Sequence, residues 1–231
     1  MIKSFLILIS FSTLLFSSQQ IILVVADDFN SSTAKLSCYE DANIICKDIK
    51  INLGKNGLGW GLGEYKFPYD LTNEPLKFEG DKKAPAGIFK LTKIFGYQKN
   101  QNFKMPYLYT SDKLICVDDS QSPKYNTLVL AQGDEKSFEY MKRKDNLYAL
   151  GIVVAHNQHA TPKRGSCIFI HIQKGENKAT AGCTSMQEKD LKKIINWLDK
   201  EKNPILIQIP KKYLKEVTKH YPKLIRSHSS W

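Results

Sequence analysis

The clearest chemistry in this sequence is that of one histidine and one cysteine in its last third. His171 is followed twelve positions later by Cys183, which Thr-Ala-Gly directly precedes. An imidazole can take the proton of a thiol, so the two together can make a nucleophile. Gly182 would let the backbone approach a substrate, and the amides around the cysteine would hold an oxyanion. The competing interpretation is that His171 is a core histidine with its hydrogen bonds satisfied and that Cys183 is a small buried residue without a catalytic role.

Two elements must position this pair. Residues 167–172 alternate in character, which predicts a strand with Cys167, Phe169 and His171 on one face. The apolar residues between 191 and 198 follow the i, i+3, i+4, i+7 spacing of an amphipathic helix. We expect this helix to begin directly after Cys183, where its dipole would favour the thiolate.

The remaining pattern is that of a chain rich in strands. Apolar or alternating runs predict strands at 20–26, 34–40, 44–53, 147–155, 166–172 and 205–209. No linker divides them, so the fold class is mainly β with a few helices (α+β), in a single domain over residues 19–210. The glycine-rich stretch 54–63 lacks the GxxxxGK[ST] pattern and is not interpreted as a phosphate loop.

The N-terminal residues 1–18 resemble a signal peptide. One lysine precedes an apolar run at 5–16, and small residues follow it, with cleavage expected near Ser18. The run is short for a membrane span, although an uncleaved anchor is the alternative. We therefore expect export and no stable membrane insertion of the mature chain.

The cysteines and the charge add two further expectations. Because the count of five is odd, at least one thiol stays unpaired in an oxidising compartment. The sequence leaves open the pairing among Cys38, Cys46, Cys116 and Cys167. The chain has 34 Lys and Arg against 23 Asp and Glu, a net charge of +11, spread along its length and into a basic tail at 211–231. A basic surface attracts polyanions such as an acidic cell-wall polymer, but no nucleic-acid-binding motif is present, so nucleic acid is not an expected partner.

The order strand–His–loop–[ST]-x-G-C resembles the catalytic signature of the L,D-transpeptidase (YkuD-like) domain. Four upstream stretches are similar to other parts of the same family: GKNGLGWG, EGDKKAPAGIF, VDDSQSPKYN and NLYALGIVVAHN. The resemblance extends from about Gln20 to Ile209. It implies a YkuD-like β-sandwich with its active site under a lid.

The resemblance also implies a reaction. The substrate would be a peptidoglycan stem peptide in the periplasm or cell envelope, cleaved at the bond to a terminal D-alanine. Cys183 would attack the carbonyl, His171 would be the general base, and the backbone at Gly182 and Cys183 would form the oxyanion hole. The thioester would pass to an acceptor amine, or to water in an L,D-carboxypeptidase. No metal or organic cofactor is implied.

Two positions depart from the family pattern. Many members carry a second histidine two residues before the cysteine and an arginine two residues after it, where this chain has Ala181 and Ser185. The arginine's role would pass to another side chain, and the candidates near in sequence are His156, Lys163 and Arg164. These departures leave the choice between cross-linking and trimming open.

Weaker candidates complete the set. Thr180, His156 and Asn157 are expected to contact substrate, although Asn157 serves equally well as a turn former. His156 and His159 do not make a metal pair, since HxxH side chains point to opposite faces of a strand. A non-catalytic peptidoglycan-binding module is the alternative from another functional class, and it would not need the thiol.

Overall fold

The computed structural model describes residues 18–64, 73–222 and 224, so the predicted signal segment lies almost wholly outside the described residues. The strands are β1 (Gln20–Ala26), β2 (Thr33–Glu40), β3 (Asn43–Asn52), β4 (Leu58–Trp60), β5 (Ala84–Gly96), β6 (Tyr107–Tyr109), β7 (Leu114–Val117), β8 (Leu128–Leu130), β9 (Phe138–Tyr140), β10 (Leu150–Val154), β11 (Phe169–Ile172), β12 (Thr184–Met186) and β13 (Ile205–Pro210). The helices are α1 (Glu188–Trp197) and α2 (Leu214–His220), with 3₁₀ turns at Lys200–Lys202 and Lys211–Tyr213. The predicted fold class, mainly β with a few helices, is confirmed.

Most strands form one main sheet, in the order β10-β11-β12-β3-β2-β1-β13-β5-β4, with β6 also paired to β5. An additional pairing of β10 with β5 closes the path, so eight of these strands form a ring. The layers expected of a sandwich are therefore parts of one continuous sheet.

The centre of the main sheet is built from the apolar runs that the sequence predicts. β1 lies between antiparallel β2 and parallel β13, and its Ile22 pairs with Leu206. Both side chains are fully buried. A strand covered on both faces reads as a continuous apolar run, which explains why QIILVVA lacks alternation.

Helix α1 packs on this sheet through the predicted stripe. Leu191, Ile194 and Ile195 are buried in the core, while Glu188 and Asp190 lie in the first turn, where the helix dipole favours acidic side chains. The start of the basic tail is also attached, because Val217 of α2 and Leu224 are fully buried in the same core. Within the described residues, no helix has the length and apolarity that a membrane crossing requires.

A small sheet of three strands, in the order β8-β7-β9, stands apart from the main sheet. Two disulfides are present: Cys38–Cys46 joins β2 to β3, and Cys116–Cys167 joins the small sheet to the segment before β11. The free cysteine is Cys183. The structure thus settles the pairing that the sequence left open, and it confirms the expectation of an unpaired thiol.

Candidate active site

The candidate site is a cavity of about 420 Å³ between the main sheet and the small sheet. Cys183 and His171 from the main sheet both line it, as do Glu139 and Arg143 from the small sheet and the chain that follows it. A larger cavity of about 540 Å³ lies beside β2, β3 and the start of α1. Its described lining includes neither cysteine nor histidine, so we place the candidate chemistry in the smaller cavity.

The two predicted residues are brought together by adjacent parallel strands. β11 and β12 pair with Ile170 opposite Thr184 and His171 opposite Ser185, which places Cys183 one residue before the ladder. The predicted strand is confirmed from Phe169 onward, whereas Cys167 precedes it with a φ of 55°. Cys167 and Phe169 pack in one apolar cluster with Cys183, whereas Ile168 and Ile170 belong to the main core.

The expectation that Cys183 adjoins the helix N-terminus is wrong. Strand β12 and Gln187 separate the cysteine from α1, which begins at Glu188. Residues 184–186 extend because they pair with β11 on one side and with β3 on the other. The helix dipole acts over about one turn, so it does not stabilise this thiolate.

The Cys183 side chain is instead buried away from solvent. Its Sγ accepts a hydrogen bond from the Phe169 N–H at 3.3 Å and donates one to the Cys167 carbonyl at 3.5 Å. Burial raises the thiol pKa to about 12, and the negative charge of Glu139 adds to the rise. The resting group is therefore a neutral thiol.

His171 is held in the tautomer that a base needs. Its Nδ1 lies 2.8 Å from the Ile172 carbonyl oxygen, which can only accept, so Nδ1 carries the proton and Nε2 the lone pair. Its ring meets the Tyr148 ring edge-on, with centroids 5.1 Å apart. Burial lowers the imidazole pKa to about 4, so His171 is neutral near pH 7.

The turn before the cysteine is organised by Thr180. Its Oγ1 donates to the Cys183 carbonyl at 2.6 Å and accepts from the Gly182 N–H at 3.1 Å. Gly182 has φ 151°, and a Cβ there would lie 3.1 Å from the Lys83 carbonyl oxygen. Thr180 lines the cavity, but its polar atoms hold this turn in place.

The other two expected contact residues are not at the thiol. His156 is buried between the Leu62 amide and the Arg164 carbonyl, and burial lowers its pKa to about 3. The Asn157 amide donates to the Thr161 and Gly165 carbonyls. Both side chains order the loop that follows β10, and neither lines the candidate cavity.

None of the proposed replacements for the family arginine lines the cavity either. The Arg164 guanidinium lies over the Phe78 ring and donates to the Lys77 carbonyl. The Lys163 carbonyl accepts from the Glu79 amide. The arginine that does line the cavity is Arg143, which follows strand β9 and is remote in sequence from Cys183.

Sequence reasoning missed the small-sheet side of the cavity. Glu139 and Arg143 lie in a stretch without hydrophobic period, FEYMKRKDN. Tyr148 falls in a family-like stretch, where its residue type alone indicates no role; it is 4% exposed, and its hydroxyl donates to Glu139 Oε2 at 3.1 Å. The disulfide between Cys116 and Cys167 was the one available signal, since it ties the two walls together, but its pairing needed the structure.

A second set of contacts secures the same wall. The Tyr125 hydroxyl and the Ser166 hydroxyl both donate to the Glu79 carboxylate. The Asn126 side chain accepts from the Cys167 amide and donates to the His156 carbonyl. The segment around residue 79, one of the family-like stretches, thus contacts both the loop between β7 and β8 and the segment that precedes β11.

A neutral thiol and a neutral imidazole that line the same cavity, together with charged side chains, define a candidate site for acyl transfer through sulfur. The chain matches the YkuD family, the L,D-transpeptidase catalytic domain, over residues 22–207. Because the match covers most of its length, this chain belongs to the L,D-transpeptidase catalytic domain family, whose members are acyltransferases acting on peptidoglycan. Comparison with curated proteins and with solved structures found no match.

Proposed function

We propose that this protein is an exported L,D-transpeptidase that uses Cys183 as its nucleophile on peptidoglycan stem peptides. The observation that carries the proposal is the free thiol of Cys183 in the same cavity as His171, whose Nε2 is available as a base. Membership of the family supplies the class of reaction and substrate.

The neutral resting pair implies that proton transfer accompanies attack. As Cys183 Sγ bonds to the carbonyl carbon, its proton passes to His171 Nε2. The oxyanion is stabilised by the Cys183 amide, since the Gly182 amide already donates to Thr180. The C–N bond then breaks, and His171 returns the proton to the nitrogen of the departing D-alanine.

The remaining thioester is resolved by an acceptor amine. Attack by the amine forms the cross-link and regenerates the Cys183 thiol. The same thioester attacked by water would give the trimmed tripeptide of an L,D-carboxypeptidase, with no change in the thiol or the imidazole.

Export to the periplasm or cell envelope is part of the proposal. The signal-like segment 1–18 supports it, as do the two disulfides, because such bonds persist in oxidising compartments. Sequencing the N-terminus of the protein from the envelope fraction tests this part, and we expect a chain that begins near Gln19, after cleavage near Ser18. An intact Met1 in the cytosolic fraction would contradict it.

The reaction is tested with disaccharide-tetrapeptide as both donor and acceptor, with products identified by mass spectrometry. We expect a cross-linked dimer, free D-alanine and a transient mass increase on Cys183. The Cys183→Ala variant should bind the substrate and give none of these products. Tripeptide without dimer would assign the carboxypeptidase reaction, and dimer from the Cys183→Ala variant would refute the mechanism.

A further inference from the structure

Glu139 is a carboxyl group set into the wall opposite the histidine, and the steps above do not use it. It lies on β9, and its carboxylate is within 4.8 Å of the sulfur atoms of the Cys116–Cys167 disulfide. The Cys183 thiol donates to the Cys167 carbonyl at 3.5 Å. Glu139 is therefore a near neighbour of the nucleophile, on the small-sheet side of the cavity.

The hydrogen bonding of Glu139 is incomplete in a useful way. Oε2 accepts the Tyr148 hydroxyl at 3.1 Å, which fixes the orientation of the carboxyl group. Among the described residues, no cation forms an ion pair with Glu139, because the guanidinium of nearby Arg143 pairs in bidentate fashion with Asp145 at 2.9 and 2.6 Å. The carboxylate can thus take a cation from outside.

Charged neighbours act on Glu139 from several elements. Burial raises its pKa to about 7; Asp118 and Glu79 raise it further, while Tyr148 and Arg143 lower it. An ordinary glutamate has a pKa of about 4.3. Glu139 is consequently a stronger base than an ordinary glutamate, although it still ionises near neutral pH.

The acceptor half of the reaction needs such a group. An aliphatic amine has a pKa of about 10.4 and arrives as an ammonium ion, which cannot attack a thioester. His171 lies on the main sheet and handles the proton shared by the thiol and the leaving amine. A carboxylate on the opposite wall would attract the ammonium and remove one proton from it.

We propose that Glu139 is the acceptor-side catalytic residue, which binds the ammonium of the incoming amine and takes its proton, with Tyr148 as its positioning residue. This inference rests on the proposed transpeptidase function and identifies how its acceptor is selected. The ligand class is a primary amine on a stem peptide, in preference to water.

The step balances without a further reactant. Glu139 takes one proton from the ammonium, and the freed amine forms the new C–N bond with the thioester carbonyl. The C–S bond breaks, and the second amine proton passes through His171 to the sulfur, which restores the Cys183 thiol. Glu139 later releases its proton to solvent.

The test separates acylation from transfer in the full-length protein. Isotope-labelled disaccharide-tetrapeptide is the donor and unlabelled disaccharide-tripeptide the acceptor, so that tripeptide formed by hydrolysis is distinguished by mass from the added acceptor. The initial burst of D-alanine reports acylation, and the ratio of cross-linked dimer to hydrolysed tripeptide reports transfer. Glu139→Gln removes the base while keeping the size of the side chain, and Asp134→Asn removes an exposed carboxylate of the neighbouring loop as a matched control.

We expect Glu139→Gln to lower the dimer-to-tripeptide ratio about 100-fold, the usual scale of a lost general base, with the burst within about threefold of wild type. The wild-type ratio should rise through pH 7, and the variant should lose that inflection. Glu139→Asp should restore part of the ratio, and Tyr148→Phe should shift the inflection without abolishing transfer. Asp134→Asn should behave as wild type.

Two results would overturn the assignment while leaving the transpeptidase function intact. One is an unchanged ratio in Glu139→Gln. The other is an equal loss of burst and ratio, which would place Glu139 in the activation of Cys183. A wild-type protein that hydrolyses the donor and makes no dimer at any acceptor concentration would instead refute the transpeptidase proposal, and the acceptor role with it.

Discussion

The two walls of the candidate cavity are built on different principles. Cys183 and His171 stand on the β11–β12 side, within a ring of strands closed by backbone hydrogen bonds. Both are buried and both are neutral at pH 7. Glu139 lies on β9, in the three-stranded sheet outside that ring, and Arg143 lies just after this strand. Arg143 is charged at pH 7, and the pKa of Glu139 is about 7.

The difference indicates a division of labour. A main-chain ladder fixes atoms to within a fraction of an ångström, which suits a nucleophile and its base. The small sheet is joined to the main sheet by side chains instead: the Cys116–Cys167 disulfide, the hydrogen bonds of the β7–β8 loop and a shared apolar cluster. It contributes Glu139 to a cavity that loop lysines such as Lys77 and Lys174 also line.

The sharpest test of the main-sheet wall is His171→Ala. Loss of the proposed base should lower D-alanine release by about 10²- to 10⁴-fold, with the fold retained. The measurement is the single-turnover rate against pH, with His159→Ala as a control, since that histidine is exposed and away from the thiol. A fall of less than tenfold would assign the base to another group.

The burial of the Cys183 thiol is tested by the rate at which the thiol is alkylated. Because burial raises the Cys183 pKa to about 12, alkylation by iodoacetamide should rise tenfold per pH unit up to pH 10 without a plateau. At pH 7 the thiolate fraction should be about three to four powers of ten below that of an ordinary thiol with a pKa of about 8.5. The chain unfolded in urea with its disulfides intact is the control, and a plateau below pH 9 in the folded protein would contradict the burial argument.

The smallest of these effects compares the two disulfides. Cys38–Cys46 closes a loop of 8 residues and Cys116–Cys167 one of 51. Loop-closure entropy predicts losses of about 2.5 and about 4 kcal/mol in the free energy of unfolding when each pair is replaced by alanines. Only the Cys116→Ala/Cys167→Ala variant should also lose activity, by about ten- to a hundredfold, since it releases the wall that faces Cys183.

Urea titration and the dimer assay check this comparison together. The Cys38→Ala/Cys46→Ala variant serves as the matched control, because its hairpin is remote from the candidate cavity. Equal activity in the two double variants would mean that the hydrogen bonds of Tyr125 and Asn126 hold the small sheet without the disulfide.

Much of the fold follows from local pattern alone. The apolar runs at 20–26 and 205–209 predict β1 and β13, the stripe at 191–198 predicts α1, and the alternation at 167–172 assigns Phe169 and Ile170 to opposite faces. Each of these signals is contained in a few consecutive residues, because side-chain direction repeats with the period of the backbone. The choice of Cys183 and His171 as candidates also needs only residue types, their order and the family resemblance.

Tertiary structure decided what depends on neighbours remote in sequence. The strand between Cys183 and α1 exists because β11 and β3 flank it. The thiol pKa of Cys183 is raised because the fold buries it. Glu139 is a candidate for the acceptor step only because the fold places its carboxylate next to the Cys116–Cys167 disulfide and the Tyr148 hydroxyl. Desolvation and charge are sums over everything within a few ångströms, and most of those atoms belong to other parts of the chain.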